Sequence, residues 1–324
     1  MRLELKAVTL LYGTKVVDIP LNMDIPFSSI SKPLWISGSC NGLVCLRFMP
    51  LSSILVIWNP ATRVFKDLPH STVGRPNAAP HMVVLGFGFD SVTNDYKVLR
   101  IVNFGYPLKQ VEIYSLREDT WREIQADVRF LIFEPSSRVF VRGRFHWAAL
   151  NGREMIVTFD LGQEVFSHFM LPNFSPENES SDEDEDEDEE EDEGLRWHLV
   201  AWKDSIGLMV YPNHSLNNTF DMWIMNEYGS AGSWTKYMSF GPYPRVNMPL
   251  GYRMNGEVLL RKENGELGLY EPGTQELKNV PVSGVHWFAE VFNHVESMVP
   301  INGGKDLREA NMYTVVPDPF FVRD

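Results

Sequence analysis

One pattern recurs along the chain and limits its fold more than any other feature. A short apolar strand runs into a turn built from Asn, Asp, Pro or Gly, and a second strand with an aromatic residue near its start follows. Ile57-Trp58-Asn59-Pro60-Ala61-Thr62-Arg63-Val64-Phe65 is the first copy, and Glu112-Ile113-Tyr114-Ser115-Leu116 leading to Asp119-Thr120-Trp121 is the second. Val157-Thr158-Phe159-Asp160-Leu161 with Val165-Phe166 is the third, Met222-Trp223-Ile224-Met225 with Ser233-Trp234 the fourth, and Leu267-Gly268-Leu269-Tyr270-Glu271 reaching Leu277 the fifth. Copies lie roughly 45–60 residues apart, the period of propeller blades. Each copy reads as the outer hairpin of a four-stranded blade, with an inner pair of strands before it. Segments such as Gly86-Phe87-Gly88-Phe89-Asp90 with Tyr96-Lys97-Val98-Leu99 supply those inner pairs. A small sheet with two apolar faces cannot bury both alone, so such repeats stack around an axis.

The expected fold is therefore an all-β propeller of six blades, with seven left open. Five blades come from the repeats. A sixth is expected from Val8–Tyr12 and Lys15–Asp18 pairing with Phe288–Phe292 and Glu296–Val299, which closes the ring and removes its exposed strand edges. The propeller is expected over residues 1–302, with 303–324 as a C-terminal tail. An acidic insert at 175–194 falls between the third and fourth repeats; its run of like charges predicts disorder.

The formal net charge of −14 misleads, because Glu177, Glu179 and the unbroken run 182–193 supply the excess. The remaining acids match the 29 Lys and Arg, so the folded part is close to neutral. No basic patch is visible, which argues against nucleic acid as a partner. No apolar stretch is long enough for a membrane-spanning helix, and Arg2, Glu4 and Lys6 stand where a signal peptide needs an apolar run. Cys40 and Cys45 are the only cysteines, and they lack the spacing of a zinc site; two buried reduced thiols and an intracellular location, cytoplasm or nucleus, are expected.

Several of these segments in one order resemble the F-box-associated, kelch-type interaction domain of plant F-box proteins. The matching motifs are Gly38-Ser39-Cys40-Asn41-Gly42-Leu43-Val44-Cys45-Leu46, Trp58-Asn59-Pro60-Ala61-Thr62-Arg63, Gly86-Phe87-Gly88-Phe89-Asp90 and Val111-Glu112-Ile113-Tyr114-Ser115-Leu116. The resemblance implies a protein-binding module that recruits substrates to an SCF (cullin–RING) ubiquitin ligase. Only 37 residues precede Gly38, and none reads as the paired helices of an F-box. A Skp-type adaptor and cullin are accordingly expected as partners only if an F-box is restored upstream. The alternatives are an F-box-less scaffold that competes for the same protein target, or a kelch- or sialidase-like propeller enzyme.

No catalytic residue, cofactor or metal site is expected. Asp119-Thr120-Trp121 lacks the glycine of a sialidase Asp-box, and the eight histidines show no ligand spacing. His146 reads as a satisfied strand residue and Trp121 as a blade-packing one. Target contacts are expected in the longer loops at 70–81, 103–110, the acidic insert and 241–247. Phe104, Tyr106, Tyr243 and Arg245 have the composition of interface anchors there. Ser180 and Ser181 precede acids at a spacing that suits acidophilic kinases.

Overall fold

A computed structural model describes residues 9–12, 15–18, 34–48, 54–71, 82–105, 109–132, 138–174, 194–213, 217–253, 255–280 and 292–306. Among them every regular element but one 3₁₀ turn is a strand. β1 (Thr9–Tyr12) and β2 (Lys15–Asp18) form an N-terminal hairpin. Blade 1 follows as β3 (Leu34–Cys40), β4 (Leu43–Phe48), β5 (Leu55–Asn59) and β6 (Val64–Asp67). Blade 2 is β7 (Met82–Asp90), β8 (Asp95–Asn103), β9 (Lys109–Ser115) and β10 (Thr120–Ile124). Blade 3 opens with a short β11 (Leu131–Ile132), then β12 (Arg138–Val141), β13 (Arg144–Leu150), β14 (Glu154–Asp160) and β15 (Val165–Met170). Blade 4 holds β16 (Leu195–Trp202), β17 (Ser205–Pro212), β18 (Asn217–Met225) and β19 (Trp234–Pro244). Blade 5 holds β20 (Val246–Tyr252), β21 (Val258–Lys262), β22 (Leu267–Glu271) and β23 (Glu276–Val280). β24 (Phe292–His294) and β25 (Lys305–Asp306) end the described chain. Each blade is an antiparallel meander, and the inner strands β24, β3, β7, β12, β16 and β20 neighbour one another in that order.

The core is a series of layers between blades. Leu43, Cys45 and Ile57 of blade 1 meet Leu85, Phe87, Val98, Tyr114 and Trp121 of blade 2. Equivalent layers join blades 2 and 3, 3 and 4, and 4 and 5. The fully buried strands read as continuous apolar runs because each blade is covered on both faces. Trp121 is buried in this way, its Nε1 donating to the Pro69 carbonyl of blade 1 at 2.7 Å.

The glycines of the inner strands let the blades interlock. A Cβ on Gly86 would stand 2.9 Å from the Phe145 ring, and one on Gly88 only 2.5 Å from the Phe140 ring, both of blade 3. A Cβ on Gly38 would lie 3.1 Å from Phe87 of blade 2. Each aromatic ring of one blade thus fills the space left by a missing side chain on its neighbour.

Both termini meet at one sheet, as the ring-closing expectation required, but its details differ. β1 pairs with β24 in parallel, and β2 lies outside it, so this sheet has three strands beside five full blades. Phe288 to Val291 lie outside the described residues. Residues 296–299, expected as a strand, form none: their carbonyls are diverted to a side chain. Asn59 Nδ2 donates to the carbonyls of Ser297 and Val299, each at 2.9 Å. From there the chain crosses blade 1, buries Ile301 in the blade 1–2 layer, and passes Lys66, whose Nζ donates to the Asn302 carbonyl. It then adds β25 to the outer edge of β6. Residues 303–306 are therefore part of the blade and not of a tail, because the free edge of β6 accepts a ladder partner.

Candidate functional site

Strand direction sorts every connection to one of two faces. In each blade the first-to-second and third-to-fourth strands are joined by tight turns at one end, here termed the hairpin face. Second-to-third loops and the links between blades lie at the opposite end, the connection face. The loops expected from sequence to grip a target, at 70–81, 103–110, the acidic insert and 241–247, all join strand ends on the connection face.

The anchor residues are placed as follows. Phe104 is half-buried and packs onto the blade 1–2 layer. Tyr243 is half-buried as well, its ring centroid 6.0 Å from that of Tyr270. Arg245 is exposed and makes the passage from β19 to β20 alone, in a left-handed conformation with φ of 60° within a degree (59°), while its carbonyl accepts from the Glu263 amide. Tyr106, Ser180 and Ser181 lie outside the described residues.

Sequence reasoning did not single out the axis of the ring. A cavity of about 180 Å³ lies there, lined by residues of β3, β7, β12, β16 and β20. Its wall is mostly apolar, with Phe87, Val139, Phe140, Leu199 and Leu250 among the lining side chains. The polar groups are few. Ser37 is 1% exposed and its hydroxyl has no hydrogen-bond partner among the described residues. Ser39 Oγ is 3.1 Å from His294 Nδ1, and an Arg138 amino group donates to the Ile36 carbonyl at 2.7 Å. His198 is held neutral: burial pushes its pKa down to about 4, against an opposing contribution from a hydrogen bond to the Leu250 backbone. No carboxylate side chain is among the described lining residues. The lining positions on β16 and β20 fall at the ends of those strands nearest the hairpin face. The signal for this cavity in the sequence was indirect: the inner-strand glycines and serines that were read only as strand features.

Other polar groups have structural tasks. Asp119 accepts from Tyr114 Oη at 2.7 Å and pairs with Lys66 at 3.0 Å, so the Asp-Thr-Trp motif ties blade 2 to blade 1. His146 is fully buried, with Nε2 2.8 Å from Tyr228 Oη and Nδ1 3.3 Å from the Val139 carbonyl. Its burial pushes the pKa down to about 4. Cys40 and Cys45 are free thiols, and desolvation pushes them up to about 11 and about 12, which leaves both protonated.

Comparison with known proteins agrees with this architecture. The F-box associated beta propeller domain model matches residues 14–296. The F-box protein At3g07870 of Arabidopsis thaliana is 28% identical over 315 residues, spanning 82% of this chain and 70% of the relative. The F-box protein CPR1 of the same plant is 28% identical over 77% of this chain and 64% of its own length. F-box/kelch-repeat protein At3g23880 is 24% identical over 72% of this chain, which spans 60% of that relative. Among solved structures, Chaetomium thermophilum Raptor gives a TM-score of 0.40 at 12% identity over 75% of this chain and 20% of its own. A six-bladed fungal lectin from Aleuria aurantia gives 0.40 at 10% identity over 78% of each chain. With inner strands, interlocking glycines and the family match all falling on the same residues, the chain belongs to the F-box associated β-propeller domain family.

Proposed function

We propose that this propeller is a protein-binding module that holds substrates for an SCF-type (cullin–RING) ubiquitin ligase, and that it has no catalytic activity of its own. The observation that carries this reading is the segregation of connections. Every long loop that differs in length from blade to blade joins strand ends on one face of a rigid scaffold, the arrangement through which propellers present variable contacts. Membership of a family whose relatives are named F-box proteins supports the ligase context. The whole-ligase role requires an F-box in the same assembly to dock the Skp-type adaptor.

Affinity purification of the propeller from plant extract, quantified by mass spectrometry, tests the reading. We expect a small set of proteins enriched over a relative's propeller, and loss of that enrichment when Tyr243→Ala and Arg245→Glu are combined on the connection face. Equal recovery by the variant and by the control propeller removes the proposal.

A further inference from the structure

The axial cavity lies toward the hairpin face, away from the loops assigned to target capture, and its chemistry defines an occupant. At about 180 Å³ it is smaller than the roughly 300–1,000 Å³ of sites for whole small ligands. That volume suits one inserted side chain. The apolar wall excludes a charged tip, whose desolvation would go uncompensated. Ser37 contributes a hydroxyl lacking a partner among the described residues, and Arg138 contributes a donor-only guanidinium. The occupant therefore needs an apolar body and a tip that both donates and accepts. A phenol has both properties, whereas an indole N–H only donates.

The rim of this mouth indicates that a protein carries the side chain. Val92, in the β7–β8 turn, is 80% exposed, and Val295, next to the inner strand β24, is 61% exposed. Met298, on the segment crossing blade 1, is 77% exposed. Exposed apolar side chains gathered at a mouth are the character of an interaction surface. Across the mouth, the turns of blades 3 and 4 carry the exposed cations Arg142 and Lys203. We propose that this cavity receives one tyrosine side chain of a partner protein, flanked by acidic residues, from the hairpin face.

Short capped peptides test it without knowledge of the partner. Asp-Tyr-Asp, Asp-Phe-Asp, Asp-Ala-Asp and Lys-Tyr-Lys peptides are titrated into the whole chain by calorimetry. The Asp-Tyr-Asp peptide is expected to bind about tenfold or more tightly than Asp-Ala-Asp, with the Lys-flanked peptide weaker. Ser37→Ala is expected to lower the preference for tyrosine over phenylalanine by about two- to tenfold. His198→Trp, which fills the cavity from β16, is expected to abolish binding while thermal melting reports that the ring is intact. Equal binding of Asp-Tyr-Asp and Asp-Ala-Asp overturns the proposal, as does binding unchanged in both variants. If His198→Trp does not fold, the Ser37→Ala ratio decides alone. Capture through the connection face is read by different variants, so either result can fail while the other stands.

Discussion

At the scale of single residues the turns on the hairpin face share one grammar. The residue that ends the third strand of a blade caps the turn with its own side chain: Asn59 Oδ1 accepts from the amides of Ala61 and Thr62, Ser115 Oγ from that of Glu118, and Asp160 Oδ1 from those of Gly162 and Gln163. Four residues on, the chain enters a left-handed conformation at Arg63, Asp119, Glu164 and Gln275, none of them glycine. For an L-residue that conformation costs about 1–2 kcal/mol, against about 0.5–1 kcal/mol for the added freedom of an unfolded glycine. At Gln275, which is exposed, Gln275→Gly should therefore stabilise the domain by about 0.5 kcal/mol, a change that urea unfolding would detect as a higher midpoint. Asn59 is the opposite case. It is fully buried, and its two donors reach Ser297 and Val299 while its oxygen serves the turn. Asn59→Ala is expected to cost about 2–4 kcal/mol through unsatisfied buried partners, whereas Asn59→Asp should keep the turn and lose only the two long contacts. The turn was legible in Asn59-Pro60-Ala61-Thr62-Arg63. Its reach to residues more than two hundred positions away was not, because a side-chain amide bonding to main-chain carbonyls leaves no periodic trace.

At the scale of strands and blades, stability depends on how neighbouring sheets interlock. Gly88→Ala would place a methyl 2.5 Å from the Phe140 ring, closer than carbon atoms pack, so the ring or the strand must move. A loss of about 1–3 kcal/mol is expected, larger than for Gly86→Ala, and partly restored when Phe140→Leu is added; a double-mutant cycle on unfolding free energies would show the coupling. A second joint lies between blades 3 and 4, where His146 meets Tyr228 in a dry setting. Its pKa is about 4 when folded, against about 6.5 unfolded, so below pH 6.5 the unfolded chain takes up a proton that the folded one refuses. Stability from this joint is complete at neutral pH and falls as pH drops from 6.5 toward 4, by up to about 3 kcal/mol. His146→Gln should flatten that part of a melting-temperature profile. Period-two alternation made nearly every blade strand readable from sequence. It failed at residues 296–299, where alternating exposure is real but the inward residues pack on blade 1 without entering a ladder. It also missed β11 and β25, each only two residues long and defined by the edge it joins.

For the whole molecule the decisive contacts join the two ends of the chain. β1 pairs with β24, Ser39 contacts His294, and β25 lies against β6. Truncation after Pro300 would remove Ile301 from the blade 1–2 layer and expose the β6 edge. It should lower the melting temperature by about 5–10 °C in calorimetry, with a broader transition, since the layer at blade 1 would be loosened first. The overall architecture was legible because each blade repeats the same burial problem. The cavity on the axis was not, since it is built from single residues of five strands separated by most of the chain. Blade count was the other limit: five full sheets declare themselves in the repeats, but the terminal sheet of three strands follows no repeat at all.

The crossing of blade 1 by residues 295–306 also sets an order of events during synthesis. The segment that seals the first blade is made after every other strand described here, so the earliest sheet to leave the ribosome waits longest for its final partner. Until then β6 presents an unpaired edge and the apolar layer beside it stays uncovered. A nascent chain stalled anywhere before residue 301 would hold five finished sheets in an open arc, and that arc is the form in which quality-control factors would meet this protein.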